Sequence, residues 1–199
     1  MNKIIILFIS VFTLLFSTSC SMLFRDPVNG EKVLKLYKDQ KGNVNITGDF
    51  TIEDLQERPS FSDWYTTEYN NYVVDDVFKA NKKEFKKLFK NKSIEIFMGT
   101  WCPDSRREVP RFMKIMDFLE IPRSKIKLIG VNDHYHAFAG QDLGKRIKRV
   151  ATFIFYHNEF ADRSPTEIGR IVEYPVETLE KDMLKIILGD LYVPNYANQ

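Results

Sequence analysis

Apolar positions recur along this chain at two spacings, and the changes from one to the other mark out its elements. In residues 61–72, FSDWYTTEYNNY, the aromatics Phe61, Trp64 or Tyr65, Tyr69 and Tyr72 stand three to four apart, which is one face of a helix. Ser60 or Ser62 is the expected N-cap. An aromatic stripe of this kind usually faces a core, so the helix is expected to pack on the rest of the domain; a ligand platform is the alternative. Residues 75–92, DDVFKANKKEFKKLFKNK, repeat the helical spacing with Phe78, Phe85, Leu88 and Phe89 on one side and lysines on the other. Acids at the start and lysines at the end suit a helix dipole. The basic face is read as solvated, with contact to anionic lipid as the alternative.

The pattern then turns into strand, helix, strand. SIEIFMG (93–99) is a strongly apolar strand. PDSRREVPRFMKIMDFLE (103–120) places Val109, Phe112, Met113, Met116 and Leu119 at helical spacing. KIKLIGVN (125–132) is a second apolar strand. Short links make this a βαβ unit with parallel strands and a right-handed crossover. GQDLGKRIKRV (140–150) is expected to form another helix. TFIFYHN (152–158) and EIGRIVEY (167–174) form a hairpin across the turn-rich EFADRSPT. PVETLEKDMLKIILGD (175–190) closes the chain as a helix with Leu179, Met183, Ile186 and Ile187 inward. Near the start, EKVLKLYK alternates enough for a short strand, and GNVNITG is read as a turn and an edge strand. The expected fold class is α/β, a central four-stranded mixed sheet (βαβ then ββα) flanked by helices, with an N-terminal extension.

Composition narrows the class. The chain has 199 residues, of which 44% are hydrophobic, enough for a packed core. A net charge of +2 gives no argument for nucleic acid. The first residues are distinct: Lys3, then an apolar run over 4–16, then STSC ending at Cys20. The run is shorter than the roughly 20 residues a membrane span needs, and fits the apolar region of an export signal. It resembles a bacterial lipoprotein signal, although Ser17 stands where leucine is more usual. The resemblance implies cleavage before Cys20 and a lipid on its thiol, so that Cys102 is the one free thiol of the mature chain. The expected organisation is a signal peptide over 1–19, anchor and tether over 20–44, an extension over 45–79 and the main domain over 80–199. The protein is expected to be exported and membrane-anchored in the cell envelope.

The chemistry centres on GTWCPDSRREVP, residues 99–110. Cys102 falls where strand meets helix, and Pro103 suits the first helical position. Unpaired amides and the helix dipole favour negative charge there, and with it the nucleophilic thiolate. Arg106 and Arg107 add positive charge nearby, and Asp104 opposes it. Ser105, one turn on, is a candidate hydrogen-bond partner for the sulfur. His134 and Asp133, in NDHYH after the second strand, are expected on the same sheet edge, where His134 is a candidate base or thiolate partner; a surface histidine is the plainer alternative. No glycine-rich phosphate loop, nucleophile elbow or metal-ligand set is apparent, and neither a cofactor nor a metal is assigned.

With this order of elements, WCPDS resembles the thioredoxin-like superfamily, and the longer GTWCPDSRREVPRF resembles the exported, lipoprotein-type thioredoxin-like proteins of Bacteroidetes. The resemblance covers roughly residues 80–190. It implies that Trp101 and Cys102 are the active-site tryptophan and attacking cysteine, and that Pro103 and Asp104 lie between the two cysteine positions. Ser105 stands in place of the resolving cysteine. Two further family positions differ: Ala151 occupies the place of the cis-proline, and Ile96 the place of a buried acid. A cis bond before alanine costs about 2.5–4 kcal/mol, so a trans Val150–Ala151 bond is expected. A chain with one thiol can attack a disulfide and form a mixed disulfide, but needs an outside thiol to release it. The expected function is monothiol thiol-disulfide exchange with protein or small-molecule thiols and disulfides. The alternative is a non-catalytic binding or assembly module on the same scaffold.

Overall fold

Alternation along the strands sorts their side chains onto two unlike faces, and the helices gather on one of them. The computed structural model describes residues 34–159 and 164–197; Cys20, the expected export signal and the start of the expected tether lie outside these residues. Six strands form one mixed sheet: β1 (Leu34–Lys38), β2 (Val44–Phe50), β3 (Lys92–Met98), β4 (Ile126–Gly130), β5 (Thr152–His157) and β6 (Thr166–Val172). Their order is β1-β2-β4-β3-β5-β6. β3 and β4 are parallel, with Ile96 opposite Leu128; every other neighbouring pair is antiparallel.

The sheet therefore has six strands, not the four expected from the sequence. The additional pair is the β1–β2 hairpin, which starts inside the stretch read as tether. β2 joins through β4, with Gly48 opposite Gly130. A side chain at Gly130 would lie 2.6 Å from the Ile46 carbonyl oxygen, so glycine permits this close approach. The β3–helix–β4 crossover and the β5–β6 hairpin occur as the apolar pattern predicts.

On one face, Ile94, Ile96, Leu128, Phe153, Phe155 and Ile171 meet two helices, α5 (Pro103–Phe118) and α6 (Leu179–Leu188). α5 contributes Val109, Phe112, Met113 and Met116, and α6 contributes Met183 and Ile186. Thr178 caps α6 by accepting the Lys181 amide, and Gly189 ends it at φ +79°.

Four helices precede β3: α1 (Ile52–Gln56), α2 (Pro59–Asn71), α3 (Asp76–Ala80) and α4 (Lys82–Leu88). α2 lies against α5. Its aromatic stripe packs inward, with Phe61 and Tyr65 buried and Tyr69 donating to Asp117 at 2.8 Å. The helix begins earlier than Ser60 or Ser62 would have it: Arg58 is the N-cap and Pro59 takes N1, where its missing amide costs nothing. The single helix expected over 75–92 is two short ones, broken at Asn81, whose backbone (φ −116°, ψ 25°) is not helical.

The other face carries Phe97, Ile129, Ile154 and Tyr156, and among the described residues no helix covers it. It is covered by the segment 131–150, where the sequence suggested a helix over 140–150. Gly140, Gly144 and Arg146 all have positive φ, which breaks helical geometry three times in seven residues. Lys145 pins the segment to the sheet by an ion pair to Glu95 at 2.7 Å and a bond to Tyr156 at 2.8 Å.

Candidate functional site

The parallel pair β3–β4 ends where α5 begins, and the turn between them carries Cys102. Gly99, Thr100 and Trp101 make the turn, and the Cys102 amide closes it by donating to the Gly99 carbonyl at 2.9 Å. Cys102 is the N-cap of α5 and Pro103 is N1, as the sequence indicates. Four further bonds fix the turn. Thr100, fully buried, accepts the Ile46 amide at 3.1 Å and donates to Asn45 at 3.0 Å, so β2 holds it from one side. Trp101 donates its indole N–H to the Val131 carbonyl at 3.0 Å. Ser105, also fully buried, accepts the Gly99 amide at 3.2 Å. A Cβ on Gly99 would lie 2.5 Å from the Trp101 ring, so the indole needs glycine beneath it.

The Cys102 thiol donates to the Val150 carbonyl at 3.1 Å. The residue is 7% exposed and belongs to a small apolar cluster with Val131, Ala137 and Val150, flanked by Trp101 and Tyr135. Cys102 is thus buried, and its thiol hydrogen is already engaged. The Val150–Ala151 peptide bond is cis, which corrects the trans expectation. Hydrogen bonds on both sides hold this backbone: Thr152 Oγ1 donates to the Arg149 carbonyl at 2.7 Å, and the Glu173 amide donates to the Ala151 carbonyl at 2.6 Å. Ala151 is fully buried.

The charged neighbours are engaged elsewhere. Arg106 donates to the Thr100 carbonyl and lies 5.7 Å from the centre of the Trp64 ring. Arg107 is paired with Asp104 at 2.7 Å and Glu108 at 2.6 Å. Burial pushes the Glu108 carboxyl above its ordinary range, against the attraction of Arg107 and Arg111. The hydroxyl of Ser105 faces the strand end rather than the sulfur.

From the loop after β4, the residues beside Cys102 are Val131, Tyr135 and Ala137. The His134 side chain is 80% exposed and stands 4.0 Å from Asp133. Its neighbour His136 bonds Asp142 at 3.0 Å. That bond and the Ala137 amide outweigh burial and hold the Asp142 carboxyl below its usual range. Among the described residues, no three His, Cys, Asp or Glu side chains are grouped to hold a metal ion.

Sequence reasoning missed Val150 and Tyr135 as partners of the site. Val150 was legible only as the residue before Ala151, because the bond it makes is through its backbone. Tyr135 sits between the two histidines that drew attention, and its ring lies 6.1 Å from that of Trp101. No protein-family model, curated protein or solved structure matches the chain.

Proposed function

We propose that this chain is a lipid-anchored, thioredoxin-like protein of the bacterial envelope whose Cys102 carries out monothiol thiol-disulfide exchange. One observation carries the reading: a lone thiol caps the helix that follows a parallel strand pair, and it faces the backbone carbonyl that precedes β5. The succession β3–α5–β4 and then β5–β6–α6 supports a thioredoxin-like arrangement, with the β1–β2 hairpin as an addition.

The chemistry follows from the single sulfur. The thiol gives its proton to solvent and breaks its bond to Val150. The thiolate attacks one sulfur of a substrate disulfide, a Cys102–substrate disulfide forms, and the other substrate sulfur leaves as a thiolate. Ser105 has no sulfur with which to reverse this, so a second thiol from outside the chain must release the product. Because Cys102 is the N-cap of α5, the helix dipole and the unpaired amides of the first turn favour negative charge there.

The test uses the full chain with Cys20→Ser, so that Cys102 is the one thiol. Incubation with hydroxyethyl disulfide should give a mixed disulfide at Cys102 in the folded protein, detected by mass. Modification that requires denaturant would refute the exchange reading.

The second reading, a binding or assembly module, has its own support. Cys102 is nearly enclosed, and both its thiol and the Ser105 hydroxyl are already used in structural bonds. Under that reading a Cys102→Ala strain keeps the cellular role; a deletion-like phenotype in that strain removes it. The anchor is tested separately by the mass of the mature N-terminus, where an unmodified Cys20 would end the lipoprotein proposal.

A further inference from the structure

A basic groove is built in part from Arg149 and Tyr135, which neighbour the residues around the thiol. It runs over the start of β5 and the end of β6, between residues 146–149 and the C-terminal residues 194–197, and encloses about 610 Å³. Arg146, Lys148, Arg149 and Arg170 line it together with Tyr135 and Tyr196; no acidic side chain does among the described residues. The volume is that of a site for a small ligand or a few peptide residues.

Two of the guanidiniums are fixed from outside the groove. Glu173 pairs with Arg149 at 3.2 Å, and Glu167 holds Arg170 through two bonds of 2.7 Å. Arg149 also lies 3.9 Å from the centre of the Tyr196 ring. Arg146 is exposed and makes no hydrogen bond or ion pair among the described residues. Since Glu167 and Glu173 already offset part of the charge, the groove lacks the concentrated positive charge of a phosphate cradle. It offers dispersed cations and two tyrosine rings, which suits several carboxylates along a chain.

The groove and the thiol share their framework. Arg149 lines the groove, and the next residue, Val150, takes the Cys102 hydrogen bond. Tyr135 lines the groove and packs beside Trp101, the residue before Cys102. We infer that this groove binds an acidic polypeptide segment, and that the disulfides Cys102 attacks are those flanked by Asp and Glu. The second part rests on the monothiol reading; the first does not.

The test therefore has two arms. In the first, the full chain with Cys20→Ser meets two peptides identical except for glutamates or glutamines around one cysteine, each carried as its mixed disulfide with 2-thiopyridine. Cys102 attacks the peptide sulfur, the peptide–Cys102 disulfide forms, and thiopyridine leaves and is read by absorbance. At low salt the glutamate peptide should react about tenfold faster, and added salt should shrink the advantage. Arg146→Glu should abolish it. Equal rates for the two peptides, or an advantage untouched by Arg146→Glu, would overturn the inference.

The second arm needs no reactive thiol. A fluorescein-labelled glutamate peptide without cysteine is titrated into the full chain carrying Cys102→Ala, read by anisotropy. Binding that Arg146→Glu and Lys148→Glu each weaken supports the groove even if neither peptide disulfide reacts, in which case the monothiol reading alone fails. Absence of binding overturns the groove. Displacement by inorganic phosphate beyond that by chloride at the same ionic strength also overturns it, because the site would then be one for small anions.

Discussion

Ser105 Oγ accepts the amide of Gly99 across 3.2 Å, inside the turn that carries Cys102. The Ser105 hydroxyl thus ties the end of β3 to the first turn of α5. Ser105→Ala leaves a buried N–H without a partner. Such a loss costs about 1–3 kcal/mol, which urea denaturation of the variant should show.

Ser105→Cys changes function as well as stability. Under the proposed reading it supplies the resolving sulfur one turn from Cys102, so a mixed disulfide can be released within the chain. Insulin-disulfide reduction is expected from this variant in the presence of a reductant, above the level of the parent. No gain would count against a thioredoxin-like frame around Cys102.

Gly99→Ala should displace the neighbouring indole. The new methyl would lie 2.5 Å from Trp101, and moving the ring breaks its 3.0 Å bond to the Val131 carbonyl. The expected cost is about 1–3 kcal/mol. In a Trp64→Phe background, which leaves Trp101 as the one tryptophan, the emission maximum should shift.

Glu108 makes stability depend on pH in a definite direction. It is nearly enclosed, and burial raises its carboxyl above the ordinary value despite Arg107 and Arg111. The folded chain therefore holds that proton more tightly than the unfolded one. The resulting stabilisation is full below about pH 4, near the unfolded value, and is lost as pH rises through the folded value. Glu108→Gln, neutral throughout, should gain stability relative to the parent as pH rises from about 4. Chemical denaturation at several pH values checks the sign.

Asp182 organises the C-terminal segment. Fully buried on α6, it accepts the Val176 amide at 2.6 Å, the Glu177 amide at 3.2 Å and the Tyr192 hydroxyl at 3.0 Å. Asp182→Ala strands these donors and should cost about 3 kcal/mol. Hydrogen exchange should quicken at Val176 and Glu177, whereas Tyr192→Phe, which leaves both amides satisfied, should have a smaller effect.

Much of this molecule was legible from local pattern. The apolar run of β3 marked it as a buried strand, and the spacing of Val109, Phe112, Met113 and Met116 marked the buried face of α5. The position of Cys102 at the strand–helix junction followed from the same change of period. Glu95 was read only as part of an apolar strand; the fold places it on the side covered by residues 131–150, where it meets Lys145 and Tyr156.

Those features depend on near neighbours along the chain, and period is a near-neighbour property. Contacts between distant residues carry no such imprint. The joining of β2 to β4, the carbonyl of Val150 at the thiol, the engagement of Arg106 and Arg107 away from the sulfur, and the meeting of residues 146–149 with 194–197 were decided by the tertiary fold alone. Residues 140–150 show why: their apolar spacing fits a helix, yet tethers from Lys145 to Glu95 and from Arg170 to the Lys145 carbonyl hold them against the sheet in a form no local preference specifies. The sequence determined where the Cys102 thiol would stand; the fold decided what it faces.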